Sequence, residues 1–77
     1  MISIEIRPES SPDKFEEMEI YIDDEGIDVF MAMLRFLKNN ETDHVHMMSE
    51  EWGGYDLSDV PHDLKNSSVK HVKMFKV

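Results

Sequence analysis

Cysteine is absent from the 77 residues of this chain, which excludes disulfides, thiolate metal ligands and thiol nucleophiles. Its absence fits a reducing compartment. No apolar run is long enough to cross a bilayer. The opening Met1-Ile-Ser-Ile-Glu-Ile-Arg7 has neither the charged start nor the apolar stretch of a signal peptide. The expectation is a cytoplasmic protein without a membrane partner. Glycine is scarce, and the chain contains no phosphate-binding glycine loop and no Gly-x-Ser-x-Gly elbow. Positive charge is short as well, with 8 Lys+Arg against 17 Asp+Glu for a net charge of −9. Nucleic acid is therefore excluded as an expected ligand, because phosphate binding needs a basic footprint.

What is present suits one small α+β domain over residues 1–77. A chain this short hides only about 60% of its unfolded surface, so its core is thin. Ile2, Ile4 and Ile6 alternate with Ser3, Glu5 and Arg7, the period of a half-buried strand. Residues 8–14 carry two prolines and small polar groups, which stop both strand and helix. Alternation resumes with Met18, Ile20 and Ile22 against Glu17, Glu19 and Tyr21, giving a hairpin. Asp23 and Asp24 can cap the helix that follows, to about Asn39. Its spacing, Ile27, Phe30, Met31, Leu34 and Leu37 or Lys38, predicts the inward stripe.

A third strand, Asp43–Met48, sets Val45 and Met47 against His44, His46 and Met48. A long connection over 49–67 contains Trp52-Gly53-Gly54, and connections this long are functional or poorly ordered. In the last strand, Val69–Val77, Val72 and Met74 share one side while His71, Lys73 and Phe75 share the other. The order ββαββ predicts a four-stranded, mostly antiparallel sheet with one helix on one face. The opposite face is then bare. It shows Glu5, Glu17, Glu19, Tyr21, His44, His46, Met48, His71, Lys73 and Phe75. An antiparallel sheet often leaves such a face to water, but imidazole and aromatic rings suit a partner surface better than a Lys/Glu carpet does.

The His44-x-His46 pair puts two rings on one side of one strand, a spacing open to a metal. With no second ligand pair at diagnostic spacing, structural or partner-contact histidines are the ordinary reading. No metal or other cofactor is expected, and no acid pair or nucleophile stands apart as catalytic. His62 reads as a surface residue. A lone Trp in so small a protein most often lids the core, so Trp52 is expected inside, with partner contact coming from the loop beside it.

Charge is unevenly placed. The first 64 residues hold 4 bases against 17 acids, or −13, and the tail holds only Lys65, Lys70, Lys73 and Lys76. Such a field speeds encounter with a basic partner.

The run Asp43-His-Val-His-Met-Met-Ser-Glu-Glu-Trp-Gly-Gly-Tyr-Asp-Leu-Ser58 resembles the core motif of the immunity protein 32 family of bacterial polymorphic toxin systems. That motif runs His-x-His-Leu, a short gap, Trp-Gly-Gly, then an acidic residue and Leu-Ser. Asp23-Asp-Glu-Gly-Ile27 is similar to the family's acidic helix start, and Ser68-Val-Lys-His-Val-Lys-Met74 to its closing strand. Met47 and Val72 stand where leucine is usual. The resemblance implies a non-enzymatic protein that binds and blocks a cognate toxin. The residues expected to meet that toxin are Glu17, Glu19, Tyr21, His44, His46 and His71, with Trp52, Gly53, Gly54 and Tyr55 at the rim. A carboxylate-rich surface would suit a basic active groove. Two alternatives stay open, a small His-based metal protein or enzyme and a homodimer that hides the ring-bearing face.

Overall fold

The computed structural model describes residues 1–8 and 17–77. Five strands and one long helix follow in the order β1 (Ile2–Ile6), β2 (Met18–Ile22), α1 (Asp24–Lys38), β3 (His44–Met48), β4 (Ser67–Ser68) and β5 (His71–Phe75). A single 3-10 turn, Glu50–Trp52, interrupts the long connection. The class is α+β. From residue 9 onward, the turn chemistry read at residues 8–14 lies outside the described residues.

The single four-stranded sheet is corrected. Two sheets form instead, one in the order β2-β1-β4 and the other pairing β3 with β5, with every strand pair antiparallel. The physical reason lies in the last stretch of chain, which is shared between two partners. Ser67 and Ser68 pair with Ile6 and Glu5, and Val69 N–H donates to the Ile4 carbonyl. One residue later the Lys70 carbonyl accepts from Ser49 N–H, and β5 then pairs with β3. The ladder thus changes partner at Val69–Lys70, which joins the two sheets without merging them.

Helix α1 begins as its capping chemistry dictates. The Asp23 carboxylate accepts from Gly26 N–H at 2.8 Å and also holds the N-terminal ammonium. Those two donors keep its pKa below the usual aspartate value, the ammonium bond contributing most. Asp24 and Glu25 in the first turn and Arg35 and Lys38 in the last complement the helix dipole. The inward stripe is rotated from the expected one. Gly26 and Leu37 are buried and Phe30 and Met33 pack on the core, whereas Ile27, Met31 and Leu34 are 41–44% exposed. Gly26 explains the rotation. Having no side chain, it lets the first turn press against the Met1 carbonyl and Ile22, where any Cβ would collide.

The core is small: Ile2, Ile4, Met47 and Leu57, flanked by Ile22, Phe30, Met33, Val69, Val72 and Met74. Leu57, 4% exposed, fills the place expected of Trp52, whose ring is 60% exposed. The core-lid reading of Trp52 is therefore overturned. Leu57 reaches the core because its N–H and that of Asp56 both donate to the Met48 carbonyl, while Ser58 N–H donates to the Ile2 carbonyl.

The far side of β1 is not bare either. Glu5, expected in water, is fully buried. Segment 62–66 folds across it and aims donors at its carboxylate: His62 N–H at 2.6 Å, Asp63 N–H at 3.2 Å and Asn66 Nδ2 at 2.9 Å, with the Ser3 hydroxyl as a fourth. Burial alone would raise the Glu5 pKa, but these four bonds outweigh it and bring the group down to about 2. A buried carboxylate in the middle of a small sheet is thus the anchor of the covering loop.

Candidate functional site

The outer face of the β3–β5 sheet carries the densest cluster of rings. Strand alternation turns Met47, Val72 and Met74 inward and leaves His44, His46, His71 and Phe75 on the other side. The register sets His44 opposite Phe75, and their rings stack at 5.6 Å between centroids. His44 meets His46 edge-on at 4.9 Å, and His46 stacks on His71 at 5.2 Å. Trp52 closes the row with its ring 5.9 Å from His71. Five rings run in sequence from Phe75 to Trp52 across the sheet. The three imidazoles are half-buried, and the two ends of the row, Phe75 and Trp52, are about 60% exposed.

The Ser49–Leu57 stretch places Trp52 there. Trp52 N–H and Gly54 N–H both donate to the Ser49 carbonyl, which curls the loop back on the end of β3. Gly53 sits at φ 84°, the left-handed conformation that lets the 3-10 turn end without a steric cost. Gly54 is buried against the Met48 backbone, where a Cβ would collide. Tyr55, by contrast, is 93% exposed.

Two local polar arrangements tune the row. His44 Nδ1 lies 2.6 Å from Asp43 Oδ1, an interaction that holds the aspartate pKa low. His46 Nδ1 and His71 Nε2 are 2.9 Å apart. Burial first, then the neighbouring His44, His71 and Lys73, push the His46 pKa below its ordinary value, so the ring is neutral at neutral pH. Lys73 stands directly across from His46.

The remaining expected contact residues fall elsewhere. Glu19 and Tyr21 lie on β2, with Glu17 just before it, and β1 separates that strand from β4. Glu19 is held by Asn66, Tyr21 and Arg7, bonds that depress its pKa in that order. The Tyr21 hydroxyl donates to Glu19 at 3.0 Å, which raises the phenol pKa, and its ring stacks on His62 at 4.6 Å. These side chains form a second group bound to the loop over Glu5, apart from the imidazole row. His62 is exposed as read, but its stacking was not legible.

The sequence also gave no sign of an apolar groove on the helix side. Ile20, Ile22, Ile27, Phe30 and Met31 line about 250 Å³ of open space with no polar lining. Met18 and Leu34 are exposed large apolar residues of the same two elements, β2 and α1. The signal that could have found it is that one fifteen-residue helix cannot cover both sheets while its second apolar stripe stays unused.

Among the described residues no set of three or more His, Asp or Glu is arranged to hold a metal ion, and no helix is long and apolar enough to cross a membrane. No protein-family model, curated protein or solved structure matches this chain.

Proposed function

We propose that this chain is an immunity protein that binds and neutralises a cognate bacterial toxin by covering a basic surface, without catalysis of its own. One observation carries the reading: the row Phe75–His44–His46–His71–Trp52, aromatic, half-exposed and set on a rigid antiparallel ladder. Aromatic rings supply most of the energy in protein interfaces when they are held stiffly and meet a pocket. A Trp ring 60% exposed on a 77-residue protein is costly to leave in water and gains most from a partner. The net charge of −9 adds attraction for a basic toxin. The likeness to the immunity protein 32 motif supplies the kind of partner, and Glu17, Glu19 and Tyr21, with His62 of the covering loop, form a second contact group. Co-expression with a candidate toxin from a neighbouring gene tests the reading. Rescue from killing is expected, and continued killing despite folded protein would end it.

A second reading, self-association, draws on the apolar groove. β2 stands at the edge of its sheet, and among the described residues nothing pairs with its free side. Two copies meeting antiparallel about Ile20 would set Met18 opposite Ile22 and Glu19 opposite Tyr21. That register keeps the apolar face continuous and opposes no like charges between residues 18 and 22. Sedimentation at micromolar concentration decides it. A dimer strengthened by salt is expected, since screening relieves repulsion between two acidic copies, and a strict monomer excludes it.

A further inference from the structure

His46 and His71, set diagonally across the β3–β5 ladder, meet through their ring nitrogens. From the geometry of that pair we infer that His46 Nδ1 and His71 Nε2 form a two-imidazole site for a divalent transition metal, with the remaining coordination positions open to water or a partner's side chain.

Imidazole nitrogens sit ~2.0–2.1 Å from Zn2+, so two of them on a tetrahedral ion stand about 3.3 Å apart with ring centres about 5 Å apart. Here the nitrogens are 2.9 Å apart and the ring centres 5.2 Å apart. Those values place the two nitrogens face to face across a shared N–H···N bond, so an ion replaces that proton once the nitrogens part by a few tenths of an ångström and both rings turn by a few tens of degrees. The two rings come from different strands, His46 facing Lys73 and His71 facing Met48, so the ladder fixes their diagonal relation before any ion arrives. Preorganisation of that kind cuts the ordering cost of binding.

Both rings are half-buried rather than sealed, so an ion can enter from the outer face. No third His, Asp or Glu completes the set among the described residues. With nitrogen ligands only, the affinity order follows Cu2+ above Ni2+ and Zn2+, then Co2+. The inference does not depend on the toxin-binding reading, since it concerns the free chain.

Trp52 provides the readout. It is the chain's one tryptophan and lies 5.9 Å from His71, so Cu2+ or Ni2+ at the site quenches its fluorescence. Titration at pH 7.5 is expected to give saturable one-to-one quenching, reversed by excess of a strong chelator, whereas Zn2+, with its filled d shell, binds without quenching. His46→Ala and His71→Ala should each weaken binding at least about tenfold. His62→Ala, on the other sheet's outer side, should leave it unchanged. Should a variant fail to fold, histidine resonances of the unmutated protein decide instead: Cu2+ at substoichiometric amounts must broaden His46 and His71 ahead of His62. Absent quenching, quenching that survives both substitutions, or broadening centred on the acidic helix start would overturn the inference.

Discussion

Replacing Glu5 by Gln is the sharpest probe of how the loop is held, because the side chain keeps its shape and loses only its charge and one acceptor. The carboxylate receives four donors, two on each oxygen: Asp63 N–H and Asn66 Nδ2 on one, the Ser3 hydroxyl and His62 N–H on the other. Gln offers one oxygen and one NH2. With the NH2 turned toward Ser3, the hydroxyl can rotate to accept, but His62 N–H then faces a donor. Turned the other way, the NH2 can meet Asn66 Oδ1, a buried oxygen without a partner, yet Asp63 N–H is orphaned. Either orientation leaves one buried amide unsatisfied, at about 1–3 kcal/mol, and the surviving bonds lose their charge assistance. Relief of the carboxylate's desolvation offsets part of this. The net expectation is a loss of about 2–4 kcal/mol, from a total of about 4–12 kcal/mol for a chain of this length. Urea unfolding at pH 7, followed by far-ultraviolet circular dichroism, measures it.

The acid limb gives a second reading of the same residue. The Glu5 pKa falls from 4.5 to about 2 on folding, so its stabilising effect is fully present above pH 4.5. That stability is lost as the pH drops from 4.5 through about 2. The Gln variant should show a flatter stability profile over that window. A variant within about 0.5 kcal/mol of the parent, with an unchanged acid limb, would refute the anchoring role.

Three further outcomes follow. Leu57→Ala should cost about 2–5 kcal/mol because it empties a core site, whereas Trp52→Ala should change stability by no more than about 0.5 kcal/mol; urea midpoints compare the two. His46 should titrate below its ordinary 6.5 in a histidine NMR series. The unfolded chain then takes up that proton first, so this ring's contribution to stability falls as the pH drops below 6.5, and a value at or above 6.5 would contradict the packing described. Association with a basic toxin should slow as salt rises from 50 to 500 mM, and a rate indifferent to salt would remove the electrostatic part of the proposal.

The parts of the fold that were legible are those set by short periods. A strand's two-residue repeat assigned His44, His46 and Met47 to their faces, and Asp23 announced the helix start by its capping chemistry. What was hidden depends on contacts distant in sequence. Val69–Lys70 looks like ordinary strand, and only the separate demands of Ile4 and Ser49 split the sheet there. Glu5 alternates with isoleucines and reads as solvent-facing, because nothing near it in sequence reveals that His62, Asp63 and Asn66 will cap it. Trp52 was placed inside by its bulk, while Leu57, five residues later, had the backbone anchors to reach the core. The candidate site was legible as a face but not as a row, since ring-to-ring order depends on the β3–β5 register.

Amide hydrogen exchange on the protein with and without its toxin tests the central claim most directly. The account expects new protection at residues 44–48, 52–55 and 71–75, with exchange along α1 unchanged. Protection confined to α1 and β2, leaving the imidazole row as open as before, would mean that the rings are not where the partner docks.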